Sequence, residues 1–553
     1  MSTNLSQQKR EKLLNNIKIM REKLNNNPEL VQSLADIETE LKRKKYGLIW
    51  EEHEEKVDEE LKTKIPVFEE QKELEIKESD DKFFNFLLEG DNLHSLYLLE
   101  KTHRNKIDVI YIDPPYNTGN KNFVYDDKFV ETEDSYKHSK WISFMEKRLK
   151  IAKNLLTAKG LIFISINYIE QAQLKLLCDE IFGENNLVGE ITWESTTQPI
   201  NSGSAKFGLQ QKTEWILVYA KDINKKDAFL LNKIENKQKY PHIGKLGKCR
   251  FEIIEKSDAG GYKRETMKFK ILGQEPREGK RWQIGKDRAE ELIKNNRIEI
   301  VNGIVKVAVY PEDELGKVSY IPFWSHFQAN EVGTAQNGKE ELNNILNRAV
   351  GFDTVKPTKL IKEILSHFNK NITVLDFFAG SGTTAQAVLE LNRNDNGNRK
   401  FILCTNNENN ICRNITYERL KRIIKGYNDI KNNEIKGISA NLKYYKTEYI
   451  DRFNHEDDAY YIVNELSKYI KELVQLENGL DIDDKSVQVL FTDEEVDNFS
   501  KSNDLVEKCK ILYIDTNALI TDEQIEKFEK NNITILYIPE YYFEEEIMEV
   551  EQW

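Results

Sequence analysis

The sequence predicts an α/β fold built on a mostly parallel, Rossmann-like sheet, and two observations lead to this expectation. Short apolar runs alternate with amphipathic stretches of helical length, once in the first half of the chain and again after residue 350. In each half a polar or glycine-rich segment directly follows an apolar run, which is where open parallel sheets bind ligands. Around this sheet we expect an N-terminal helical hairpin and a small C-terminal α/β module.

The chain is predicted to begin with two amphipathic helices. Leucine, isoleucine and methionine recur at helical spacing in two stretches, Leu13–Leu24 and Leu30–Leu41, so each stretch has one apolar face. Pro28 lies between them, where it can begin the second helix. Such a hairpin suits either dimer formation or packing onto the chain's own body.

The apolar runs give the predicted strands, and the helical patterns lie between them. We expect strands at Ile107–Ile112, Leu161–Ile166, Ile372–Leu375 and Phe401–Cys404. We expect helices at Trp141–Leu156, Ile169–Phe182, Pro357–Phe368 and Thr383–Leu391. Such helices are the crossovers that parallel pairing requires. The tail has predicted strands of its own at Val487–Phe491, Lys510–Ile514 and Ile533–Ile538.

Charge is distributed unevenly along the chain, whose formal net charge is −13. Residues 451–553 contain 27 acidic and 9 basic residues, whereas the first 450 residues contain 67 acidic and 72 basic residues. The tail would repel a phosphate backbone, and the rest of the chain could follow one. We therefore place a domain boundary near residue 450.

Composition also indicates the compartment. No apolar run approaches about 18 residues, the length that suggests a membrane span, and the first residues lack the apolar core of a signal peptide. The five cysteines lie far apart and form no Cys-x-x-Cys pair, which argues against a disulfide framework and against a zinc finger. We expect a cytoplasmic protein with no membrane contact and no metal site.

The motif Asp113-Pro114-Pro115-Tyr116 directly follows the predicted strand Ile107–Ile112. The strand delivers Asp113 to the carboxyl edge of the sheet, and the prolines hold the backbone extended. An amine on an aromatic base is a poor nucleophile because its lone pair is delocalised into the ring. Asp113 and the Pro114 carbonyl can each accept one of its protons, and Tyr116 can stack on a flipped base. These four are the candidate catalytic residues; the alternative interpretation is a proline-rich turn.

A second motif, Asp376-Phe377-Phe378-Ala379-Gly380-Ser381-Gly382-Thr383-Thr384, lies between a predicted strand and a predicted helix. Glycines at such a turn let the backbone approach a ligand closely. The P-loop pattern is absent, so the turn is not a phosphate site of that kind. On its own the turn does not identify a cofactor.

Together the two motifs resemble motifs IV and I of amino-methyltransferases acting on DNA, in the order of the β group. Glu89-Gly90-Asp91-Asn92-Leu93 resembles motif III, and Phe352-Asp353-Thr354-Val355-Lys356-Pro357 resembles motif X. The resemblance implies a Rossmann-like methyltransferase that uses S-adenosylmethionine. In that group Asp at the first position of the catalytic tetrapeptide usually accompanies methylation of adenine N6, and Ser is commoner for cytosine N4.

The implied cofactor site takes residues from several of these segments. We expect it to contain Asp91, Phe352, Lys356, Pro357, Asp376, Phe377, Ala379, Gly380, Gly382 and Thr383. Glu408, which follows the strand Phe401–Cys404, is the candidate for the ribose hydroxyls because a carboxylate can accept from both. The run Thr405–Asn410 offers other polar residues for that role.

The narrower resemblance is to the modification subunit of type III restriction–modification systems. It is carried by Asp113-Pro114-Pro115-Tyr116-Asn117-Thr118-Gly119-Asn120, by Lys45–Glu51 and by Leu174–Gly183. It implies double-stranded DNA, a second copy of the chain and a restriction helicase-nuclease subunit as partners. The alternatives are a stand-alone β-group methyltransferase, on adenine N6 or cytosine N4, and a non-catalytic DNA-binding homologue, whose motifs would be expected to be damaged.

The predicted domains are an N-terminal helical region (1–80), a catalytic half (81–195), a target-recognition region (196–330), a cofactor half (331–450) and an acidic α/β module (451–553). The long stretch between the motifs favours DNA over RNA or protein as substrate. Side chains there can contact phosphates and base edges: Lys245, Lys248, Arg250, Lys263, Arg264, Lys268, Lys270, Arg277, Lys280, Arg281 and Trp282.

Overall fold

A computed structural model gives the fold and describes residues 5–23, 28–42, 50, 53–118, 137–199, 209–225, 232–234, 239–259, 264–314, 320–352, 354–452, 458–481 and 485–551. Contacts divide the chain into two compact units. The main unit consists of Met1–Phe229 and Ser325–Trp553, and the inserted unit of Leu230–Trp324. Two of the segments that carry the type III resemblance lie partly outside the described residues: Gly119 and Asn120 of the first, and most of Lys45–Glu51.

The main unit begins with the two expected helices and then enters its sheet. Its first strands are β1 (Lys64–Glu70), β2 (Ile76–Lys77), β3 (Asn85–Glu89), β4 (Ile107–Ile112), β5 (Leu156–Ile166), β6 (Leu187–Glu194) and β7 (Thr213–Ala220). Its first helices are α1 (Leu5–Lys23), α2 (Pro28–Lys42), α3 (Lys56–Thr63), α4 (Asn92–His103), α5 (Lys137–Leu155) and α6 (Gln171–Cys178).

The inserted unit is small and antiparallel. It contains α7 (Lys286–Lys294) and the strands β8 (Asn232–Ile234), β9 (His242–Gly244), β10 (Gly247–Ile253), β11 (Glu255–Ser257), β12 (Lys280–Trp282), β13 (Ile298–Val301), β14 (Ile304–Val309) and β15 (Tyr320–Pro322). Four of the strands form a sheet in the order β13-β14-β10-β9. Trp282 is fully buried and packs in a cluster with Ile271 and Ile298, so this unit has a core of its own.

The chain then returns to the main unit. The strands of this part are β16 (His326–Phe327), β17 (Thr373–Asp376), β18 (Lys400–Thr405), β19 (Gly426–Asn428), β20 (Glu434–Lys436) and β21 (Asn441–Asp451). The helices are α8 (Ala329–Val332), α9 (Ala335–Leu346), α10 (Thr358–Leu365), α11 (Thr383–Asp395) and α12 (Glu418–Lys425).

The acidic tail folds as helices around three parallel strands, as the sequence predicts. The strands are β22 (Val487–Leu490), β23 (Ile511–Asp515) and β24 (Thr534–Ile538), and they pair in that order. The helices are α13 (Asp458–Ser467), α14 (Ile470–Asn478), α15 (Asp493–Lys501), α16 (Asn503–Lys508), α17 (Asp522–Lys530) and α18 (Glu540–Glu551). Among the helices in the described part of the chain, none is both long enough and apolar enough to cross a membrane.

The main sheet has 11 strands in the order β1-β21-β3-β18-β17-β4-β5-β7-β6-β16, with β2 beside β21. The pairs from β21 to β5 are parallel, and β7 runs antiparallel to β5 and β6. The predicted α/β fold with a mostly parallel sheet is confirmed. One boundary differs: β7 falls within the predicted target-recognition region, but its buried Ile216, Leu217 and Val218 make it a strand of the main sheet.

The tail and the main sheet share one hydrophobic core. Leu473, Val474 and Tyr542 belong to the same buried apolar cluster as Ile110 of β4 and Leu375 of β17. Helix α14 also contacts α4 and β1. The charge boundary near residue 450 is therefore not a boundary between hydrophobic cores.

Candidate active site

The two predicted motifs lie at the same edge of the main sheet. β4 and β17 are parallel neighbours, with Ile110 opposite Leu375. The chain leaves β4 immediately before Asp113, and β17 ends at Asp376. The carboxyl ends of adjacent parallel strands are where open α/β sheets bind ligands. The fold thus brings together two segments that are far apart in sequence.

Four polar side chains form one cluster at this edge: Asp113, Tyr116, Glu214 and Lys356. The Tyr116 hydroxyl lies 2.8 Å from Asp113 Oδ1 and 3.0 Å from Glu214 Oε2. Lys356 Nζ lies 3.0 Å from Asp113 Oδ1, 2.7 Å from the Tyr116 hydroxyl and 3.1 Å from Glu214 Oε2. An ammonium has three protons to donate, and these three acceptors match them.

Burial and charge set the protonation states of Lys356 and Tyr116. Burial lowers the pKa of Lys356, but the negative charges of Asp113 and Glu214 outweigh this effect and hold its pKa above the ordinary value. Burial and the same two carboxylates raise the pKa of Tyr116 well above its ordinary value. At neutral pH Lys356 is therefore a cation and Tyr116 a neutral phenol.

The segment after Asp113 is held in place by contacts from α5 and from the residue before α6. Trp141 Nε1 donates to the Pro115 carbonyl at 2.7 Å. The amide of Asn117, a residue with a left-handed φ of 54°, donates to Glu170 Oε1, which His138 Nδ1 also contacts at 2.7 Å. These contacts fix the backbone on the C-terminal side of Asp113.

The glycine turn has the shape of a backbone surface open to a ligand. Gly380 and Gly382 adopt left-handed φ values of 47° and 78°, which glycine adopts without strain. The Gly382 N–H donates to the Ala379 carbonyl at 2.8 Å and so closes the turn. Among described atoms, the nearest to a Cβ built at Gly380 are the Phe378 oxygen at 3.8 Å and a ring carbon of Phe352 at 4.0 Å.

Asp376 is buried at the start of this turn, and both its oxygens are engaged within it. Oδ1 accepts the Phe378 N–H at 3.0 Å, and Oδ2 accepts the Thr384 hydroxyl at 2.5 Å. Burial raises the pKa of Asp376 to about 7, against the lowering effect of these two hydrogen bonds and with a smaller contribution from Asp113. Asp376 therefore titrates near neutral pH.

With this geometry established, comparison with known proteins identifies the family. The profile of a family described as DNA methylase, covering N6 and N4 enzymes, matches residues 107–418. That range contains both motifs and more than half of the chain. The chain belongs to the N6/N4 DNA methylase family.

Methylase relatives of two kinds are similar to the chain. The Mod subunit of the type III restriction–modification enzyme StyLTI from Salmonella typhimurium is 34% identical over 354 residues, which are 58% of this chain and 52% of that protein. The type II methyltransferase M.KpnI from Klebsiella pneumoniae is 31% identical over 391 residues, 65% of this chain and 90% of that protein. The expected similarity to type III modification subunits is confirmed, and the chain spans about half the length of those relatives.

Solved structures of methylases also resemble the chain at low identity. The PvuII DNA methyltransferase, described as cytosine-N4-specific, has 12% identity and a TM-score of 0.33 over 62% of this chain and 89% of that chain. The complex of M1.HpyAVI with SAM has 16% identity and a TM-score of 0.31 over 61% of this chain and 98% of that chain.

Several of the predicted cofactor residues make structural contacts within the chain. Asp91 caps α4 by accepting the Leu93 N–H at 2.7 Å. The Phe377 side chain is buried in the core. Thr383 begins α11, and its hydroxyl accepts from Arg419 Nη1 at 2.9 Å.

The remaining predicted cofactor residues lie in the segments around α10 and after β18. Phe352 lies beside Gly380 and Pro357 caps α10, whereas the Lys356 ammonium reaches the catalytic motif. Glu408 begins the short helix that follows β18. Ala379 is buried, and its N–H donates to the Cys404 carbonyl at 3.1 Å.

Sequence reasoning did not predict Glu214 or Trp193 as residues of the candidate site. Glu214 lies at the amino end of β7, and because β7 is antiparallel to β5, that end reaches the carboxyl edge of the parallel strands. Trp193 lies near the carboxyl end of β6, with its ring centroid 5.5 Å from Lys356 Nζ. The available signal was an acidic residue directly before the apolar run Trp215–Ala220, but the run alone does not give the strand direction.

Proposed function

We propose that the chain transfers a methyl group from S-adenosylmethionine to N6 of adenine in double-stranded DNA. The observation that carries this proposal is the position of Asp113, beside a buried ammonium and one strand away from the open glycine turn. An acceptor for an amine proton and a site for a methyl donor are thereby adjacent at one sheet edge.

The residues around the glycine turn fit the cofactor. The open backbone at Gly380 leaves room for a ligand, and Phe352 supplies an aromatic wall beside it. Asp376 and the start of α11 lie at the same turn, where a carboxylate and helix N–H groups would meet the methionine end. Glu408 remains our candidate for the ribose hydroxyls. When bound, S-adenosylmethionine supplies an electrophilic methyl group on a sulfonium.

In this proposal Asp113 and the Pro114 carbonyl accept the two protons of the adenine amine. These hydrogen bonds draw the amine nitrogen towards a tetrahedral shape and make its lone pair available. With the cofactor bound, its sulfonium would supply the methyl group to this nitrogen, and Asp113 would accept the proton that the nitrogen then loses. The Tyr116 ring stacks on the flipped base. Its hydroxyl is fixed by Asp113 and Glu214.

We assign DNA recognition to the inserted unit. Residues 230–324 contain 20 Lys and Arg against 14 Asp and Glu, whereas the whole chain carries a net charge of −13. A basic unit within an acidic chain suits contact with phosphates. The recognised base sequence does not follow from this charge.

For the biological setting we propose the modification subunit of a type III restriction–modification system. The relatives named as type III Mod subunits support it. A stand-alone methyltransferase is the second candidate, because the chain covers 90% of M.KpnI, a type II enzyme. The neighbouring reading frame discriminates between them: a helicase-nuclease gene there supports the type III assignment, and its absence favours the second.

We further propose that the protein is a dimer formed through the N-terminal hairpin. The two helices pack on each other and bury Ile17. They leave apolar side chains exposed at seven-residue spacing on both helices: Leu13 and Met20 on α1, and Leu30 and Ile37 on α2. Such stripes suit a second hairpin. Light scattering tests this proposal, and a mass of one chain at micromolar concentration contradicts it.

The central test is Asp113→Ala. We expect at least ~100-fold loss of methyl transfer, because a hydrogen bond to the developing charge is removed. Cofactor affinity should stay near that of the wild type, since Asp113 acts on the amine. Transfer of tritiated methyl to unmethylated DNA and calorimetric titration with cofactor measure the two effects. A near-wild-type rate would remove Asp113 from the chemistry.

A further inference from the structure

Glu214 faces the same two donors as Asp113. Its Oε2 lies 3.0 Å from the Tyr116 hydroxyl and 3.1 Å from Lys356 Nζ, against 2.8 and 3.0 Å for Asp113 Oδ1. The Lys356 ammonium is buried and contacts two carboxylates, of which Asp113 directly follows β4 and Glu214 lies in β7. One carboxylate is sufficient to form an ion pair with one ammonium, and here Lys356 has two.

The second carboxylate changes the net charge of the cluster. Asp113 and Glu214 are two anions and Lys356 is one cation, so the cluster keeps one net negative charge. Without Glu214, Asp113 and Lys356 would form a neutral pair. An ionised acceptor forms hydrogen bonds roughly twice as strong as those of a neutral one. A carboxylate that is neutralised by its own ammonium would therefore accept the amine proton less well.

We propose that Glu214 is a positioning residue that shares the Lys356 ammonium with Asp113, so that Asp113 keeps its negative charge for the target amine. Glu214 acts through Lys356 and Tyr116, whose hydroxyl it also contacts. This inference rests on the proposed function, because it assigns Asp113 the amine as its substrate group.

The first test is Glu214→Gln, which keeps the side-chain size and removes the charge. We expect kcat for transfer of tritiated methyl to unmethylated genomic DNA to fall about 10- to 100-fold, the effect of weakening a hydrogen bond to a charged group. Affinities for cofactor and for DNA should change less than about twofold. The control is Glu190→Gln on β6, whose carboxylate accepts from Gln171 and lies outside the cluster; its kcat should equal that of the wild type.

The second test asks whether Glu214 acts through the Lys356 ammonium. In a Lys356→Gln background there is no ammonium to share, so adding Glu214→Gln should change kcat less than about twofold. A role of Glu214 that does not pass through Lys356 would cost kcat by the same factor in both backgrounds, whereas an ion pair that only stabilises the fold would lower the unfolding temperature of Glu214→Gln and leave kcat of the folded enzyme unchanged. The double variant removes one charge of each sign. If Glu214→Gln alone does not fold, the double variant is compared with Lys356→Gln instead. Thermal unfolding shows which of the variants are folded.

The outcomes are distinguishable. Wild-type kcat in Glu214→Gln, or equal losses in the two backgrounds, overturns the role of Glu214 and leaves the proposed function intact. If the wild-type chain transfers no methyl group to adenine while it binds cofactor, the proposed function itself fails.

Discussion

At the scale of single residues, burial sets the charge states on which the site depends. Lys356 remains charged because two carboxylates offset its burial. Asp376 has only hydrogen-bond donors to offset its burial, and its pKa therefore rises to about 7. A group that titrates at neutral pH beside the proposed cofactor site should make cofactor binding depend on pH.

We expect cofactor affinity to increase from pH 6.0 to 7.5. The raised pKa means that Asp376 is mostly protonated at the lower pH and mostly ionised at the higher, and its carboxylate attracts a cationic ligand. With a pKa of about 7 the ionised fraction rises roughly eightfold over this range, which sets the upper limit of the effect. Calorimetric titration measures it.

Asp376→Asn is the control for this pH dependence. Any change of cofactor affinity with pH that this variant still shows arises from titration of the cofactor or of another group. Wild-type affinity that stays constant over this range, or that falls as the pH rises, contradicts the role of Asp376.

At the scale of elements, the β9–β10 hairpin is an exposed basic feature of the inserted unit. Residues 239–251 contain four Lys and Arg and no acidic residue. Its tip is fixed: the Lys245 N–H donates to Glu299 at 2.8 Å and the Leu246 N–H to the Tyr310 hydroxyl at 3.0 Å. Ile243 is nonetheless 82% exposed. A rigid, basic tip with an exposed aliphatic side chain suits a DNA groove.

Replacing Lys245 and Lys248 together with alanine should weaken DNA binding by a similar factor for all sequences. The slope of log K against log salt should fall by about one for each lost phosphate contact. Fluorescence anisotropy over a range of salt concentrations measures both quantities. The matched control replaces Lys501 and Lys530, two exposed lysines of the acidic tail. Equal slopes for the hairpin variant and the wild type would place the DNA contact elsewhere.

At the scale of the whole molecule, the tail and the catalytic sheet share one core. Leu473 of α14 is 1% exposed within the cluster that contains strands β4 and β17. The tail differs from the rest of the chain in charge and yet stabilises it by apolar contact. Deletion at the charge boundary would therefore expose part of the core that the tail shares with β4 and β17.

Leu473→Ala should lower the free energy of unfolding by about 2–5 kcal/mol, the cost of a cavity in a buried core. Far-UV circular dichroism and cofactor binding, followed during denaturation, should lose their signals in one common transition. Leu519→Ala is the control in the same tail, because Leu519 is 75% exposed, and it should change stability by less than about 0.5 kcal/mol. A separate early transition of the tail, with cofactor binding retained, would show independent cores.

Local patterns were sufficient to predict the strands and turns that carry the motifs. β4 has the predicted bounds, Ile107–Ile112, because five of its six residues are apolar or aromatic and the run ends at a polar residue and two prolines. The three tail strands were predicted for the same reason. Asp113 and the glycine turn could be placed at one edge because parallel strands align their carboxyl ends.

What could not be predicted depends on pairing between distant segments. β21 lies between β1 and β3 and is buried along most of its length. Its charged residues interrupt the apolar pattern, so the sequence does not predict a buried strand there. Glu214 enters the site only because β7 runs antiparallel to its neighbours. The Lys356 contact with Asp113 likewise follows from the arrangement of three segments, and no local period contains it.

The pairing of β4 with β17 also has a consequence for folding during synthesis on the ribosome. About 265 residues separate the paired residues Ile110 and Leu375. At ~5–20 residues per second, a ribosome needs roughly 13–50 s to deliver the second strand after the first. During that interval a nascent chain carries Asp113 without Lys356 and without the glycine turn, and the apolar edge of β4 has no partner strand. That edge, which a chaperone on the ribosome could protect, stays unpaired until Thr373–Asp376 has been synthesised.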